Sequence, residues 1–298
     1  MNARSDLWRE WPLDKLEREY SPSVCVPSID PFLAEYVQRS REAAAQLPYQ
    51  QNARWGAGED EVFDFFPAAS PDAPLLIFFH GGYWQEHSKT DVLFVALKCV
   101  ANGIAYASVE YTLAPRATVG AIVEQCRRAV ASISRQAATL GFDPQRIFIG
   151  GSSAGGHLAA MLLVDGWQKT HELPAKAIGG AILLSGIYDL EPLVPTYVNE
   201  ALHMSAGDAR TLSPMTQQLG PPIPVIVAWG ENETGEFKRQ SEGFALELKD
   251  AGFPVKSMQV DGANHFDIVF EIAEPKTALG RATLELIGTG ESIDGVQK

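Results

Sequence analysis

The chain has 298 residues, of which 46% are hydrophobic and 20% charged, so its composition is typical of a globular protein and excludes a disordered or fibrous chain. A chain of this length buries roughly three quarters of its unfolded surface and needs no disulfide or metal ion to fold. The net charge of −13 disfavours nucleic acid and membrane partners, because an acidic surface repels phosphate backbones and anionic lipid.

The cysteines and the N-terminus indicate a cytoplasmic protein. Cys25, Cys99 and Cys126 are odd in number and form no CxxC pair, which is typical of reduced thiols rather than of a disulfide framework or a zinc site. The first twenty residues are too charged for a secretion signal. No uncharged apolar run reaches the ~18 residues that a transmembrane helix needs. We expect neither a cofactor nor a metal ion.

Two regions of different pattern follow each other along the chain. Residues 1–60 are mostly polar, and a helix that begins at Asp30 or Pro31 and runs toward Gln46 is predicted there. From residue 61 onward, strand and helix patterns alternate. We therefore expect an N-terminal helical segment over 1–60 that packs on or caps the core, a main domain over 61–290 and a flexible tail over 291–298.

The strands predicted after residue 60 are short and mostly apolar, and the first is expected to be an edge strand: Glu61–Phe66, Leu75–Phe79, Ala105–Val109, Arg146–Ile149, Ala181–Ser185, Val225–Trp229 and Val255–Val260. The helices predicted between and after them are Val92–Val100, Val119–Thr139, Ala154–Leu163, Glu236–Ala251 and Pro275–Ile287. This alternation predicts an α/β fold with a mostly parallel, doubly wound central sheet and helices on both faces. In that class the site lies beyond the carboxyl ends of the strands.

A serine stands in a tight turn between a predicted strand and a predicted helix. The run Gly151-Ser152-Ser153-Ala154-Gly155 matches G-x-S-x-G. This spacing suits a serine nucleophile, because a strained turn exposes the hydroxyl and small residues two positions away let strand and helix pack closely. The N–H of Ala154 would then face a developing oxyanion. The competing interpretations are a plain Gly/Ser-rich loop, and Ser152 as the reactive serine.

A second glycine-rich loop, His80-Gly81-Gly82-Tyr83-Trp84, follows the strand Leu75–Phe79. Glycines let the backbone turn sharply, so that N–H groups can face a ligand. We expect Gly82 and Tyr83 to donate to an oxyanion, Gly81 to shape the turn, and Gly81, Tyr83 and Trp84 to border a substrate. The alternative is a plain turn over a buried aromatic pair. His80 is expected to brace the loop.

The general base is expected to be a histidine in the loop after the last strand. His265 is the only one of the six histidines that fits this position. His157, in the predicted helix after Ser153, is expected to be structural. The remaining histidines, His87, His171 and His203, are expected to be surface residues.

A carboxylate is needed to orient the histidine, and chain order places it between Ser153 and His265. The loop after the strand Val225–Trp229 holds Glu231, Glu233 and Glu236. Glu233 is the preferred candidate, because Glu231 follows the strand directly and Glu236 falls in the first turn of a helix that Thr234 would cap. Asp189, one strand earlier, is the fallback. Asp261 and Asp267 flank His265, and sequence neighbours seldom orient such a histidine.

Together these motifs resemble the α/β-hydrolase superfamily, in the branch of hormone-sensitive-lipase-like esterases, and within it the serine-type arylformamidases, also called kynurenine formamidases. The resemblance runs from about residue 16 to 287 and is strongest at six runs beside Gly151–Gly155. These are Glu19–Ser23, His80–Trp84, Tyr111–Pro115, Ser185–Leu190 and Glu236–Ser241, and Asn264–Asp267 completes the set. One departure is that the family pattern carries an aspartate where this chain has Glu233.

The resemblance implies a catalytic domain over 61–290 that hydrolyses N-formylkynurenine to kynurenine and formate through an acyl-enzyme, in tryptophan catabolism. The implied partner is a small aromatic amide or ester, and a homodimer is left open. A carboxylesterase or another amidase that acts on short-acyl aromatic substrates is the alternative. A non-catalytic ligand-binding protein on the same fold is the third interpretation, which the presence of Ser153, His265 and the glutamate-rich loop disfavours.

Overall fold

The computed structural model describes residues 7–288, so the tail predicted over 291–298 lies outside the described residues. Within them, one sheet has the spatial strand order β1-β2-β4-β3-β5-β6-β7-β8. The strands are β1 Gln50–Arg54, β2 Val62–Phe66, β3 Leu75–Phe79, β4 Ala105–Val109, β5 Ile147–Ser152, β6 Gly180–Leu184, β7 Val225–Asn232 and β8 Val255–Asn264. β2 pairs antiparallel with β1 and β4, and the other neighbouring strands are parallel. The mostly parallel, doubly wound sheet expected from the sequence is thereby confirmed.

The α-helices of the described residues connect or flank these strands. They are α1 Leu13–Glu19, α2 Asp30–Gln46, α3 Val95–Ala101, α4 Val119–Arg135, α5 Ala137–Leu140, α6 Ala154–Met161, α7 Trp167–Thr170, α8 Asn199–Leu202, α9 Ala206–Thr211, α10 Gly235–Asp250 and α11 Ala278–Ile287. None of the helices in this part of the chain is long and apolar enough to cross a membrane.

The central strand β3 shows why the sheet is covered on both faces. Its five side chains are all fully buried. Leu75, Ile77 and Phe79 join a core with α4 and α10, whereas Leu76 and Phe78 join a second core with α3 and α11. Alternate side chains of a strand point to opposite faces, so an uninterrupted apolar run requires an apolar layer on each side.

Two parts of the fold differ from the expectations. β1 was not expected, and it forms the edge of the sheet in place of β2. All of its side chains except that of Ala53 are exposed, so no apolar run marks this strand in the sequence. The sheet therefore begins at residue 50, within the predicted N-terminal segment. The short helices α8 and α9, between β6 and β7, also went unpredicted, because helices of four and six residues carry little periodicity.

The N-terminal segment packs against residues that follow the carboxyl ends of the strands. Tyr20, after α1, is almost fully buried and lies against Phe237 of α10. Tyr36 of α2 packs its ring against Phe94 and Phe270, and its hydroxyl donates to the carbonyl of Phe266 at 2.5 Å. These contacts bring the segment to the edge of the sheet where the predicted site residues lie.

Candidate active site

Ser153 occupies a sharp turn between β5 and α6. Its backbone has φ 58° and ψ −121°, an unusual conformation for a residue with a side chain. A Cβ atom on Gly155 would lie 2.0 Å from the carbonyl oxygen of Phe79, and one on Gly151 would lie 2.2 Å from that of Gly155. Only glycine fits at these two positions, so the G-x-S-x-G spacing has a steric cause here. Ser152 is the last residue of β5 and pairs with Leu184; it lines the same cavity as Ser153 but does not occupy the strained turn position.

The loop after β3 presents backbone N–H groups beside Ser153. Gly82 has φ +100° and Tyr83 has φ +49°, so the chain turns through conformations that residues rarely adopt. Within residues 7–288, the N–H groups of Gly82, Tyr83 and Ala154 have no hydrogen-bond acceptor. A Cβ atom on Gly81 would lie 3.3 Å from the Cβ of Ser153, which shows how closely the two turns approach.

His80 braces the start of this loop and lines the same cavity as Ser153. Its ring stacks on Tyr111 with centroids 4.2 Å apart, and the Tyr111 hydroxyl donates to the His80 carbonyl oxygen at 2.9 Å. The Nε2 atom of His80 lies 3.3 Å from a carboxylate oxygen of Glu110. These contacts tie the start of the loop to the residues that follow β4.

Trp84 does not reach the site, which corrects the expectation that its ring borders a substrate. With φ +61°, its side chain turns into the core and is 0% exposed. Its indole N–H donates to Nδ1 of His157 at 3.2 Å, so Nε2 of His157 carries the ring proton and donates to the Leu212 carbonyl at 2.7 Å. Burial lowers the pKa of His157 to about 4, consistent with a structural, neutral histidine.

His265 lies at the end of β8 and contacts Glu233, at the end of β7. Nδ1 of His265 donates to Oε2 of Glu233 at 2.9 Å, and both side chains are buried. The other oxygen, Oε1, accepts from the Ser185 hydroxyl at 2.5 Å and from the Gly230 N–H at 2.6 Å. Three donors therefore fix the carboxylate of Glu233 and leave Nε2 of His265 facing away from it.

The other acidic candidates have different partners. Glu231 is exposed and accepts from the Gly262 N–H at 2.8 Å. Glu236 forms a bidentate ion pair with Arg239. Asp189 accepts from the Glu191 N–H, and burial raises the pKa of its carboxyl. Thr234 stands at the start of α10 as expected, but its hydroxyl donates to the carbonyl of Glu19 instead of capping the helix.

Ser153 and His265 line one cavity of about 200 Å³. Ser153 is 8% exposed, and its hydroxyl forms no hydrogen bond with any described residue. Catalytic hydrogen bonds are often long or poorly aligned before substrate binds. Gly81, Gly82 and Tyr83 line the same cavity, as expected. No group of three or more His, Cys, Asp or Glu residues in the described part of the chain could hold a metal ion.

Several wall residues were missed by the sequence reasoning. The N-terminal segment contributes Pro22, Ser23, Ile29, Leu33 and Tyr36. The run after the loop His80–Trp84, which we call the oxyanion loop, contributes Glu86, Asp91 and also His87, which was expected to be a surface residue. Only the family-like run Glu19–Ser23 gave a signal for the N-terminal wall, and nothing in the local pattern marked His87.

Comparison with known proteins gives the family. Residues 65–181 match the family described as BD-FAE. The chain is 35% identical to a kynurenine formamidase of Danio rerio, over 94% of this chain and 98% of that protein. It is 26% identical to a kynurenine formamidase of Drosophila melanogaster, over 87% and 92% of the two chains. The structure of the carboxylesterase EstE1, from a metagenomic library, superposes with a TM-score of 0.69 at 19% identity, over 89% of this chain and 98% of that one.

The sequence and structure likenesses to these individual proteins cover most of the chain. The structural likeness to an esterase, together with the strand order, confirms the α/β-hydrolase fold. The sequence likeness extends over almost the full length of a named formamidase at more than 30% identity. The chain therefore belongs to the kynurenine formamidase family and is a hydrolase.

Proposed function

We propose that the protein hydrolyses a small acyl amide of an aryl amine, of the N-formylkynurenine type, with Ser153 as the nucleophile. His265 removes the hydroxyl proton through Nε2 and returns it to the leaving amine. Glu233 holds the imidazole by its Nδ1–H and stabilises the cation that forms. Water then attacks the formyl-enzyme, and formate leaves as Ser153 recovers its proton. The observation that carries this proposal is the convergence of Ser153 and the Glu233-bound His265 on one cavity.

The oxyanion of the tetrahedral intermediate would bind the N–H groups of Gly82, Tyr83 and Ala154. Their lack of a protein acceptor within residues 7–288 supports this role. Preorganised donors of this kind are worth about 3 kcal/mol each, because they need no reorientation when charge develops. The glutamate at position 233, where the family pattern has aspartate, is compatible with the role, because Ser185 and Gly230 fix its free oxygen.

The substrate assignment rests on the named relatives and on the cavity. The cavity of about 200 Å³ suits a small aromatic amide better than a long acyl chain. Its aromatic wall is formed by Tyr83, Tyr36, Phe266 and Tyr197. Stacking on such rings contributes about 0.5–1.5 kcal/mol beyond simple burial. With a formyl group, the acyl side of the cavity can be nearly closed.

A carboxylesterase that acts on short-acyl aromatic esters is the second candidate function. The structural likeness to a carboxylesterase favours it, and the same serine, histidine and donors would serve an ester. We also predict that the protein acts in tryptophan catabolism, is located in the cytoplasm and forms a homodimer. The free thiols of Cys25, Cys99 and Cys126 support the location.

The test compares kcat/KM for N-formylkynurenine and p-nitrophenyl acetate, followed by an acyl-chain series on one aryl leaving group. We expect formyl and acetyl compounds to be the best substrates, with a fall beyond butyryl, because an overfilled pocket costs about 1–3 kcal/mol. Ser153→Ala should lower kcat by at least about 10³-fold with the fold intact, and a phosphonate should label Ser153 alone. Peak activity at octanoyl would overturn the formamidase assignment. Near-normal turnover by Ser153→Ala would overturn the mechanism.

A further inference from the structure

Two consecutive carbonyl groups near the N-terminus connect two separate loops of the site. The Tyr83 hydroxyl, on the loop after β3, donates to the carbonyl oxygen of Tyr20. The Thr234 hydroxyl, on the loop after β7, donates to the carbonyl oxygen of Glu19 at 2.5 Å. Two strands, β5 and β6, separate β3 from β7 in the sheet. The pair Glu19–Tyr20 therefore connects two loops whose strands are not neighbours in the sheet.

The side chains of the same pair hold the start of α10, which follows Glu233. The carboxylate of Glu19 accepts from the Glu236 N–H at 3.2 Å, and so satisfies a donor that the first turn of a helix leaves free. The Tyr20 hydroxyl donates to Glu236 at 2.7 Å and accepts from Gln240 at 2.8 Å. Four hydrogen bonds thus join Glu19 and Tyr20 to α10 and to the connection between β7 and α10, which carries Glu233 and Thr234 and which we call the acid loop.

The ring of Tyr20 extends the contact toward the imidazole. It packs against Phe237 with ring centroids 6.4 Å apart, and Phe237 packs against His265 with centroids 4.5 Å apart. Tyr20 is 1% exposed, so this contact is part of the packed interior. Pro22 and Ser23, two and three residues after Tyr20, line the cavity.

We infer that Glu19–Tyr20 is a positioning bridge that couples the oxyanion loop to the acid loop. Tyr83 binds the carbonyl of Tyr20, and Thr234 binds the carbonyl of the preceding residue, Glu19. A shift of either loop therefore displaces this pair of residues, and with it the carbonyl that the other loop binds. The oxyanion donors and the Glu233–His265 pair then keep their relative position as one unit. This inference rests on the proposed function, because it assigns the two loops the roles given there.

A double-mutant cycle tests the coupling. Tyr83→Phe and Thr234→Val each remove one hydroxyl and keep the shape of the side chain. Each should lower kcat by about tenfold with little change in KM, since one hydrogen bond contributes about 1 kcal/mol or slightly more. The double variant should also lose about tenfold, because cutting the bridge at one end already uncouples the loops. A hundredfold loss, the product of two independent effects, would overturn the inference.

The pH profile gives a readout that a local structural role would not move. Glu233 is the carboxylate in contact with His265, and Phe237 and Phe266 are the rings packed against it. A looser Glu233 stabilises the imidazolium less, so the acidic limb of kcat/KM moves to lower pH. Coupling predicts this movement in Tyr83→Phe as well as in Thr234→Val. An acidic limb that stays in place in Tyr83→Phe would overturn the inference.

Two further variants serve as controls. Thr234→Ser keeps the hydroxyl and should retain most of the activity; if it behaves like Thr234→Val, the hydrogen bond is not the cause. Asp14→Asn changes an exposed carboxylate on α1, outside the bridge, and should leave kcat and the pH profile unchanged. Active Ser153→Ala would mean that the proposed function fails. Inactive Ser153→Ala with a multiplicative double variant would mean that only the bridge fails.

Discussion

The two sides of the cavity are held in place by different means. On the nucleophile side, Ser153 and the oxyanion loop are fixed by backbone packing, with a Cβ on Gly155 excluded by a carbonyl 2.0 Å away. On the acid side, the carboxylate of Glu233 accepts hydrogen bonds from the Ser185 hydroxyl, the Gly230 backbone N–H and Nδ1 of His265, and these bonds hold both side chains in place. Both sides join distant parts of the chain, since Gly155 meets the carbonyl of Phe79 on β3 and Ser185 meets Glu233, 48 residues later; what differs is the kind of contact, backbone packing on one side and hydrogen bonds to side chains on the other.

Because the two sides are held differently, substitutions on them should affect different properties of the protein. Replacement of a glycine on the nucleophile side should disturb folding, because the backbone around it has no room for a side chain. A substitution on the acid side should disturb chemistry first, because a polar side chain can be replaced by a neutral one of the same shape. Matched variants on the two sides therefore test whether stability is lost first on one side and catalysis first on the other.

The largest effect is expected on the acid side, from Glu233→Gln. The amide keeps the size of the side chain but loses the counter-charge for the imidazolium, and its NH₂ group must face one of three donors. We expect kcat to fall by roughly 10³-fold or more with little loss of stability. The measurement is kcat on an aryl formamide together with the thermal unfolding midpoint. Glu231→Gln is the matched control and should keep near-normal activity; an equal loss in both variants would contradict the assignment.

The next effect is expected on the nucleophile side, from Gly155→Ala. The added methyl group meets the carbonyl oxygens of Phe79 and His80 at 2.0 and 2.6 Å, and neither backbone atom can move without disturbing β3. The free energy of unfolding should fall by at least about 3 kcal/mol, measured by urea denaturation.

Gly120→Ala in α4 is the control. Its new methyl group would meet nothing closer than 3.8 Å, so its stability should change by less than about 1 kcal/mol and in the favourable direction. Similar losses of stability in both variants would show that the turn at Ser153, the nucleophile elbow, has no special steric constraint.

A third prediction concerns how His157, the buried histidine on the nucleophile side, makes stability depend on pH. The pKa of His157 is about 4 in the folded protein, below the ordinary value of about 6.5 expected in the unfolded chain. Below pH 6.5 the unfolded chain therefore binds a proton that the folded protein does not. Stability is complete above that pH and falls as the pH approaches 4, by roughly 3 kcal/mol for this group. We expect His157→Gln, which can keep both hydrogen bonds, to lose less stability than the wild type over this pH range. Parallel losses in denaturant titrations from pH 7 to 4 would contradict this.

The same contrast explains how far the sequence alone could go. Leu75–Phe79 is an apolar run bounded by turns, and its strand was predicted at the observed residues. The elbow at Ser153 was visible because its glycines and serine are neighbours in sequence. The order of strands brought Glu233 and His265 to the same edge, which favoured Glu233 among the nearby acids.

The remaining features depend on contacts that no local pattern encodes. The orientation of Trp84 follows from a positive φ that turns its ring onto His157, 73 residues away. The hydrogen bond from Tyr20 to Glu236 spans 216 residues, so the N-terminal run could be recognised by resemblance but not placed. β1 carries polar side chains at an exposed edge, and nothing in its hydrophobicity distinguishes it from a loop.

The smallest effect is expected from Ser185→Ala, and it separates positioning from charge on the acid side. The Ser185 hydroxyl donates to Oε1 of Glu233 at 2.5 Å, and the Ser185 side chain is fully buried. Removing it leaves the carboxylate charged and still bound to the Gly230 N–H, so the loss should be that of one charge-assisted hydrogen bond, about 1.5–3 kcal/mol. Because only part of this interaction differs between the neutral and the protonated imidazole, kcat should fall by about tenfold, far less than in Glu233→Gln. Steady-state kinetics with both variants on one substrate measure the ratio. A loss in Ser185→Ala as large as that in Glu233→Gln would mean that the acid side depends on geometry as strictly as the elbow does, and the contrast between the two sides would not hold.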